Sequence, residues 1–115
     1  MHELSLVTSL LEIIAEQAAE HGFERVELVQ LSCGRLSGVE PRALEFAFAT
    51  SRNGTICAEA RLELAIRPLK LYCFDCEKEL VSDDADPTRC PQCGGSQVTV
   101  TGGFEELRLV ELEVD

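Results

Sequence analysis

The chain contains no tryptophan, one tyrosine and one methionine, so its interior must be built from leucine, valine, isoleucine and alanine rather than from large rings. Aromatics make up 5% and hydrophobic residues 45%, which is apolar enough to fold and excludes disorder as a reading of the whole chain. Cations are scarce: ten Lys and Arg stand against 21 Asp and Glu, a formal net charge of −11. They form no cluster or stripe, so phosphate backbones would be repelled and no nucleic-acid partner is expected. No apolar run approaches the roughly 18 residues that a membrane span needs, so no membrane partner is expected. The amino-terminal stretch lacks a basic start, and Glu12 and Glu16 interrupt its apolar residues, so no export signal is expected either. There is no GxxxxGK[ST] phosphate loop and no Ser, His and Asp set that suggests a triad. An enzyme would lack a site, and none is expected.

What is abundant is cysteine. Six cysteines without an export signal read as reduced thiols in the cytoplasm, cross-linked by a metal rather than by disulfides. Four of them form two pairs, Cys73-Phe74-Asp75-Cys76 and Cys90-Pro91-Gln92-Cys93-Gly94-Gly95, separated by thirteen residues. Two residues between cysteines let a tight turn aim both thiolates at one ion with backbone N–H groups behind the sulfurs, and Pro91, Gly94 and Gly95 supply turn chemistry. Four thiolates fill a tetrahedral shell and leave no position for water or substrate, so the pattern reads as structural zinc. A rubredoxin-like iron centre uses the same ligands, and free CxxC redox pairs are the other alternative; redox pairs usually sit at a helix start in a strand-helix-strand setting, which neither pair has. Cys33 and Cys57 lie in apolar stretches and read as small buried hydrophobes.

The 115 residues suit one compact domain or a small domain carrying an insert. Leu4, Val7, Leu10, Leu11, Ile14 and Ala18 recur at helical spacing, with Gly22 just past the end, and predict an amphipathic helix over 3–21. Branched apolar residues predict a strand over 26–33 whose burial frame switches near Leu28 and Val29. Pro41 stands at a first helical position, and Leu44, Ala47 and Phe48 share a face, so a second helix runs from 41 to about 53. Strict alternation predicts a half-buried strand over 58–67, and another strand runs over 107–114. The segment 71–101 has few large apolar side chains, and pieces under about 40 residues usually need a disulfide or metal. Metal is therefore expected to be its core, with a polar tip at Asp83-Asp84-Ala85-Asp86-Pro87 and a flexible exit at Gly102-Gly103.

A second candidate site is Met1-His2-Glu3. The bulk of His2 should block removal of the initiator methionine, leaving the free amine on Met1. The Met1 amine, the His2 amide nitrogen and the His2 imidazole can then chelate one ion in five- and six-membered rings, with the Glu3 amide as a fourth nitrogen. Such a set suits square-planar Ni²⁺ or Cu²⁺ better than Zn²⁺. The alternative is that His2 is simply an exposed polar residue ahead of a helix. His21, the other histidine, reads as a helix-end residue.

Three separated motifs carry a resemblance: Met1-His2-Glu3-Leu4-Ser5-Leu6, the turn Leu36-Ser37-Gly38-Val39-Glu40-Pro41 with Leu44-Glu45-Phe46-Ala47-Phe48, and the Cys73, Cys76, Cys90, Cys93-Gly94-Gly95 knuckles. In this order, over essentially the whole chain, they resemble the HypA/HybF family of hydrogenase-maturation nickel chaperones. The resemblance implies an α+β fold, two helices on a small mixed β-sheet, with a zinc-ribbon-like four-cysteine domain inserted before the final strand. The corresponding division is a discontinuous nickel domain of 1–70 with 102–115 and a zinc domain of 71–101. It implies a nickel site at the Met1 amine, His2 and Glu3, the last through its backbone or its carboxylate, and a zinc site at Cys73, Cys76, Cys90 and Cys93. It also implies delivery of Ni(II) to the large subunit of [NiFe] hydrogenase, and in some organisms to urease, together with a HypB-type GTPase, by a cytoplasmic monomer or weak homodimer. The chain departs from some relatives in having no histidine beside its knuckles, which argues against a nickel ligand from the zinc segment. The contrasting class is a zinc-ribbon interaction module that transports no metal.

Overall fold

A computed structural model describes residues 2–83 and 86–115. The elements run α1 (His2–His21), β1 (Val26–Gly34), α2 (Pro41–Ser51), β2 (Arg61–Arg67), β3 (Leu69–Cys73), β4 (Lys78–Ser82), β5 (Val98–Gly102) and β6 (Arg108–Val114). This is an α+β fold with two small sheets, ordered β2-β1-β6 and β4-β3-β5. The chain divides into two compact units. One takes in the residues up to Leu31, Val39–Ala65 and Arg108–Asp115, and the other takes in Ser32–Gly38 and Ile66–Leu107.

The first unit holds both helices. Val7, Leu10 and Ile14 form the buried stripe of α1, and the chain leaves the helix through Gly22, whose φ of 78° accommodates the left-handed turn that a Cβ would disfavour. Leu28 and Val29 of β1 are both buried, so the inward-outward alternation breaks where the sequence frame switches. Helix α2 begins at Pro41 behind Glu40, whose carboxylate caps it by accepting the Arg42 N–H at 3.1 Å, and its buried face is Leu44, Ala47 and Phe48. It ends at Ser51, earlier than expected, where the Arg52 N–H turns back to the Phe48 carbonyl at 3.0 Å.

Strand β2 starts at Arg61 rather than at 58. Three i→i+3 turn bonds, from Thr55 to Arg52, Ala58 to Thr55 and Ala60 to Cys57, hold the preceding residues in turns that bury Cys57 and Ala60 completely or nearly so. Alternation in 58–60 thus reflected turn packing, not a pleat. Cys33 and Cys57 are buried as expected.

The second unit has more regular structure than its composition suggested. β3 pairs antiparallel with β4, Leu71 facing Leu80, and with β5, Leu71 facing Val100. Leu69, Leu71 and Cys73 are fully buried on the central strand, so the segment owns an apolar spine besides its cysteines. The five-residue strands carry a short alternation, Leu69-Lys70-Leu71 and Val98-Thr99-Val100-Thr101, that a metal-held reading of the segment passes over; the β3–β4 pairing is a local hairpin and only the β3–β5 pairing is non-local. The exit at Gly102-Gly103 is also more constrained than expected. The Gly103 carbonyl accepts the Leu36 N–H at 2.6 Å, its N–H donates to the Glu105 carboxylate at 2.6 Å, and its φ is 107°. Gly34 crosses the same segment so closely that a Cβ there would overlap the Gly103 carbonyl and lie 2.7 Å from the Glu105 nitrogen. Within the expected polar tip, residues 84 and 85 lie outside the described residues, while Asp86 caps the next turn by accepting the Thr88 N–H at 2.9 Å.

Candidate metal centres

Cys73 comes from the end of β3, Cys76 from the turn that follows, and Cys90 and Cys93 from the second knuckle. Their four sulfurs lie within 4.8 Å of one another. The Cys73–Cys93 and Cys76–Cys90 separations are both 3.8 Å. Sulfurs at the corners of a tetrahedron around an ion with bonds of about 2.3 Å stand about 3.8 Å apart, so the cluster fits a four-coordinate thiolate centre such as zinc.

Backbone geometry prepares the sulfurs for negative charge. The Cys90 sulfur accepts N–H bonds from Gln92 at 3.3 Å and Cys93 at 3.4 Å. Cys73 accepts from the Cys76 N–H and Cys93 from the Gly95 N–H, each at 3.4 Å. The Cys90 N–H bonds to the Gly95 carbonyl at 2.8 Å and the Gly94 N–H to the Cys90 carbonyl at 2.9 Å, which closes the second knuckle; the φ of 74° at Gly94 makes that turn possible. The first knuckle is anchored by the Phe74 N–H on the Gln97 carbonyl at 2.9 Å.

Without a cation, four such sulfurs are electrostatically divided. Desolvation, then the neighbouring sulfurs of Cys93, Cys73 and Cys90, push the Cys76 thiol up to about 12. Desolvation is the largest single effect on Cys90, but the N–H donors of Cys93 and Gln92, together with the Cys93 and Cys73 sulfurs, outweigh it and bring that thiol down to about 6. Cys93 is raised, with the Gly95 N–H opposing the effect of the Cys90 sulfur. A cation placed among four such sulfurs would convert their repulsion into attraction.

The amino-terminal residues form a different environment. Met1 and its amine lie outside the described residues. His2 opens α1, and its side chain is 61% exposed, with Nδ1 3.7 Å from the Glu3 carboxylate. That carboxylate, 14% exposed, accepts the backbone N–H of Glu40 at 3.2 Å. The Glu40 donor, followed by the Glu3 N–H itself, holds the Glu3 carboxyl below its usual range against desolvation, with the nearby His2 adding less. The starts of α1 and α2 are thereby tied together. Sequence reading missed this role of Glu40, since no local pattern joins residues 3 and 40. His21 lies at the far end of α1, about 30 Å along a helix of this length, and cannot join His2 in one site. Among the described residues no helix is long and apolar enough to cross a membrane.

The whole chain is similar to known proteins. A family profile described as hydrogenase/urease nickel incorporation, metallochaperone, HypA, matches residues 1–114. The hydrogenase maturation factor HypA of Syntrophus aciditrophicus is 46% identical over 115 residues, all of both chains, and that of Rhodopseudomonas palustris strain TIE-1 is 44% identical over the same span. A solution structure of the Ni metallochaperone HypA from Helicobacter pylori superposes with a TM-score of 0.65 at 28% identity, covering 97% of this chain and 96% of that one. Another HypA solution structure gives 0.67 at 30% identity, over 99% and 96%.

Proposed function

Because the chain belongs to the HypA family of hydrogenase/urease nickel-incorporation metallochaperones, we propose that it binds Ni(II) at its amino terminus and hands it on during maturation of [NiFe] hydrogenase or urease. The observation that carries this reading is the family match over residues 1–114 in a chain whose His2 stands exposed at the start of α1. The ligands are the Met1 amine, the His2 amide and imidazole nitrogens, and the Glu3 amide nitrogen. The first N–H groups of any α-helix have no intrahelical acceptor, so metallating the amides of His2 and Glu3 breaks no bond of the helical ladder, and costs only the support that the Glu3 N–H gives its own carboxylate. The Glu3 carboxylate is engaged by the Glu40 N–H; it positions the backbone of the first turn, and Glu3 contributes through its amide rather than its carboxylate. A site at an exposed chain end releases its ion by ligand displacement without disturbing the buried stripe of Val7, Leu10 and Ile14.

Cys73, Cys76, Cys90 and Cys93 hold zinc. Bound there, zinc supplies a closed-shell cross-link between the two knuckles and offers no open position for chemistry. The protein therefore carries an ion rather than catalysing a reaction. Residues 71–101 form the zinc domain and 1–70 with 102–115 the nickel domain. A HypB-type GTPase and the hydrogenase large subunit are the partners, met in the cytoplasm, where thiols stay reduced; the net charge of −11 keeps nucleic acids away.

The test is a His2→Gln variant with an unextended, unblocked amino terminus, assayed separately for Ni²⁺ and Zn²⁺. Loss of nickel with zinc retained is expected. Nickel uptake equal to that of the parent would refute the carrier reading and favour an interaction module held together by zinc.

A further inference from the structure

The four sulfurs are unequally supplied with hydrogen bonds. Cys90 receives two backbone N–H donors, and Cys73 and Cys93 one each. Cys76 receives none among the described residues; the Gln92 side-chain amide, reaching across from the other knuckle, is its donor at 3.9 Å. The two knuckles explain the difference. In the second, Gly94 at φ 74° turns the Gly95 N–H back onto Cys93. In the first, the matching positions are Glu77 and Lys78. Glu77 adopts a φ of 55° and Lys78 begins β4 opposite Cys73 in the ladder, and among the described residues the donor to the Cys76 sulfur is the Gln92 amide rather than a backbone N–H of this knuckle.

We propose that a zinc-loaded centre opens at Cys76, whose sulfur a soft carbon electrophile attacks first, and that the Gln92 amide is the positioning group that holds this sulfur in place. The inference rests on the reading of the four cysteines as a zinc site. Each N–H donated to a thiolate draws charge from it and lowers its nucleophilicity, and donors behind metal ligands set how firmly those ligands hold. Cys76 keeps the most charge and has the weakest support. Accessibility alone ranks the sulfurs differently, because Cys93 is exposed while Cys76 is half-buried. The two rankings can be separated by experiment. With iodoacetamide, the thiolate sulfur forms a bond to the methylene carbon, the carbon–iodine bond breaks, and iodide leaves with the bonding pair. The product is a neutral thioether, a poor zinc ligand, and three thiolates remain. Gln92 shields this step from its place in the Cys90 turn, so the second knuckle, which is fully supplied with donors, protects the first.

The experiment takes the full chain, counts its zinc, treats it with substoichiometric iodoacetamide, and follows both the modified peptide by mass spectrometry and zinc release with a chromophoric chelator. Cys76 is expected to be modified first, and Gln92→Leu to speed both modification and release by about tenfold, the low end for loss of such a supporting group. Gln97→Leu, which leaves its carbonyl bond to Phe74 intact, is expected to change neither. Modification of Cys93 first, or an unchanged rate in Gln92→Leu, would overturn the proposal while leaving the zinc reading intact. A reduced protein that holds no zinc would overturn both. The mapping on the unsubstituted chain stands on its own should Gln92→Leu fail to load metal.

Discussion

Stripping zinc from the reduced protein should unfold the second unit while the helical unit stays folded. The apolar spine of the β4-β3-β5 sheet has two fully buried leucines, Leu69 and Leu71. Complete burial of a leucine contributes about 1.5–3 kcal/mol, so together they supply about 3–6 kcal/mol. Structural zinc in comparable peptides supplies roughly 10–16 kcal/mol. The metal thus outweighs the spine by a factor of about two or more. Its loss also exceeds much of the roughly 5–15 kcal/mol by which whole domains are stable. The helical unit keeps Val7, Leu10, Ile14, Val26, Leu28, Val29, Leu44 and Phe48, all buried, and none of them depends on a thiolate. The assay is amide hydrogen exchange read by mass spectrometry on zinc-loaded and metal-free protein, with a reductant present throughout. Peptides over β3, β4 and β5 should lose protection by about a thousandfold or more, equivalent to some ~4 kcal/mol of local stability. Peptides over α1 and α2 should change little. Retained protection across β3–β5 in the metal-free protein would show that hydrogen bonding and the two leucines suffice, and would refute the metal-as-core reasoning.

Nickel affinity should fall by at least about tenfold between pH 7.5 and 6.0, since an amine and an imidazole bind metal only when deprotonated; calorimetry giving equal affinity at both values would count against the amino-terminal site. The Glu3 carboxyl is lowered in the folded protein, so its ionised form adds stability above the ordinary carboxylate value of 4.5, and that contribution is lost as pH falls through the lowered one. Exchange protection of the Glu40 amide should therefore hold from pH 7 to 5 and weaken only below about 4.5, a window separate from that of nickel release; Glu3→Gln should weaken it at every pH. Gly34→Ala should cost about 3 kcal/mol, because the new methyl meets the Gly103 carbonyl and the Glu105 nitrogen, which are main chain and cannot rotate away. Gly38→Ala, at φ 84° with nothing within 4 Å, should cost only about 1 kcal/mol of backbone strain; thermal melts giving equal losses would contradict the steric account.

The readable elements were those whose information is local. Helix α1, the frame switch of β1 at Leu28 and Val29, and the Pro41 start of α2 follow from periodicity and capping within a dozen residues. Alternation misled at 58–60, where i→i+3 turn bonds bury Cys57 and Ala60, three residues apart, in place of the two-residue spacing of a strand. The five-residue strands β3 and β5 do alternate, at Leu69-Lys70-Leu71 and Val98-Thr99-Val100-Thr101, but runs that short do not say which partner they pair with; Leu71 becomes a core residue only when Leu80 and Val100 flank it.

The amino-acid sequence by itself determined the donor types that the proposed sites use: two pairs of cysteines, each spaced two residues apart, and a histidine at position 2. Covalent neighbours set ligand type and bite, so no tertiary contact was needed to read them. Tertiary structure alone decided how each group is held. It bound the Glu3 carboxylate to the Glu40 N–H, set Lys78 opposite Cys73 in the sheet, and left Cys76 to a side-chain donor from the opposite knuckle. Those outcomes depend on which distant backbone groups compete for each hydrogen bond, and only the folded chain settles that competition.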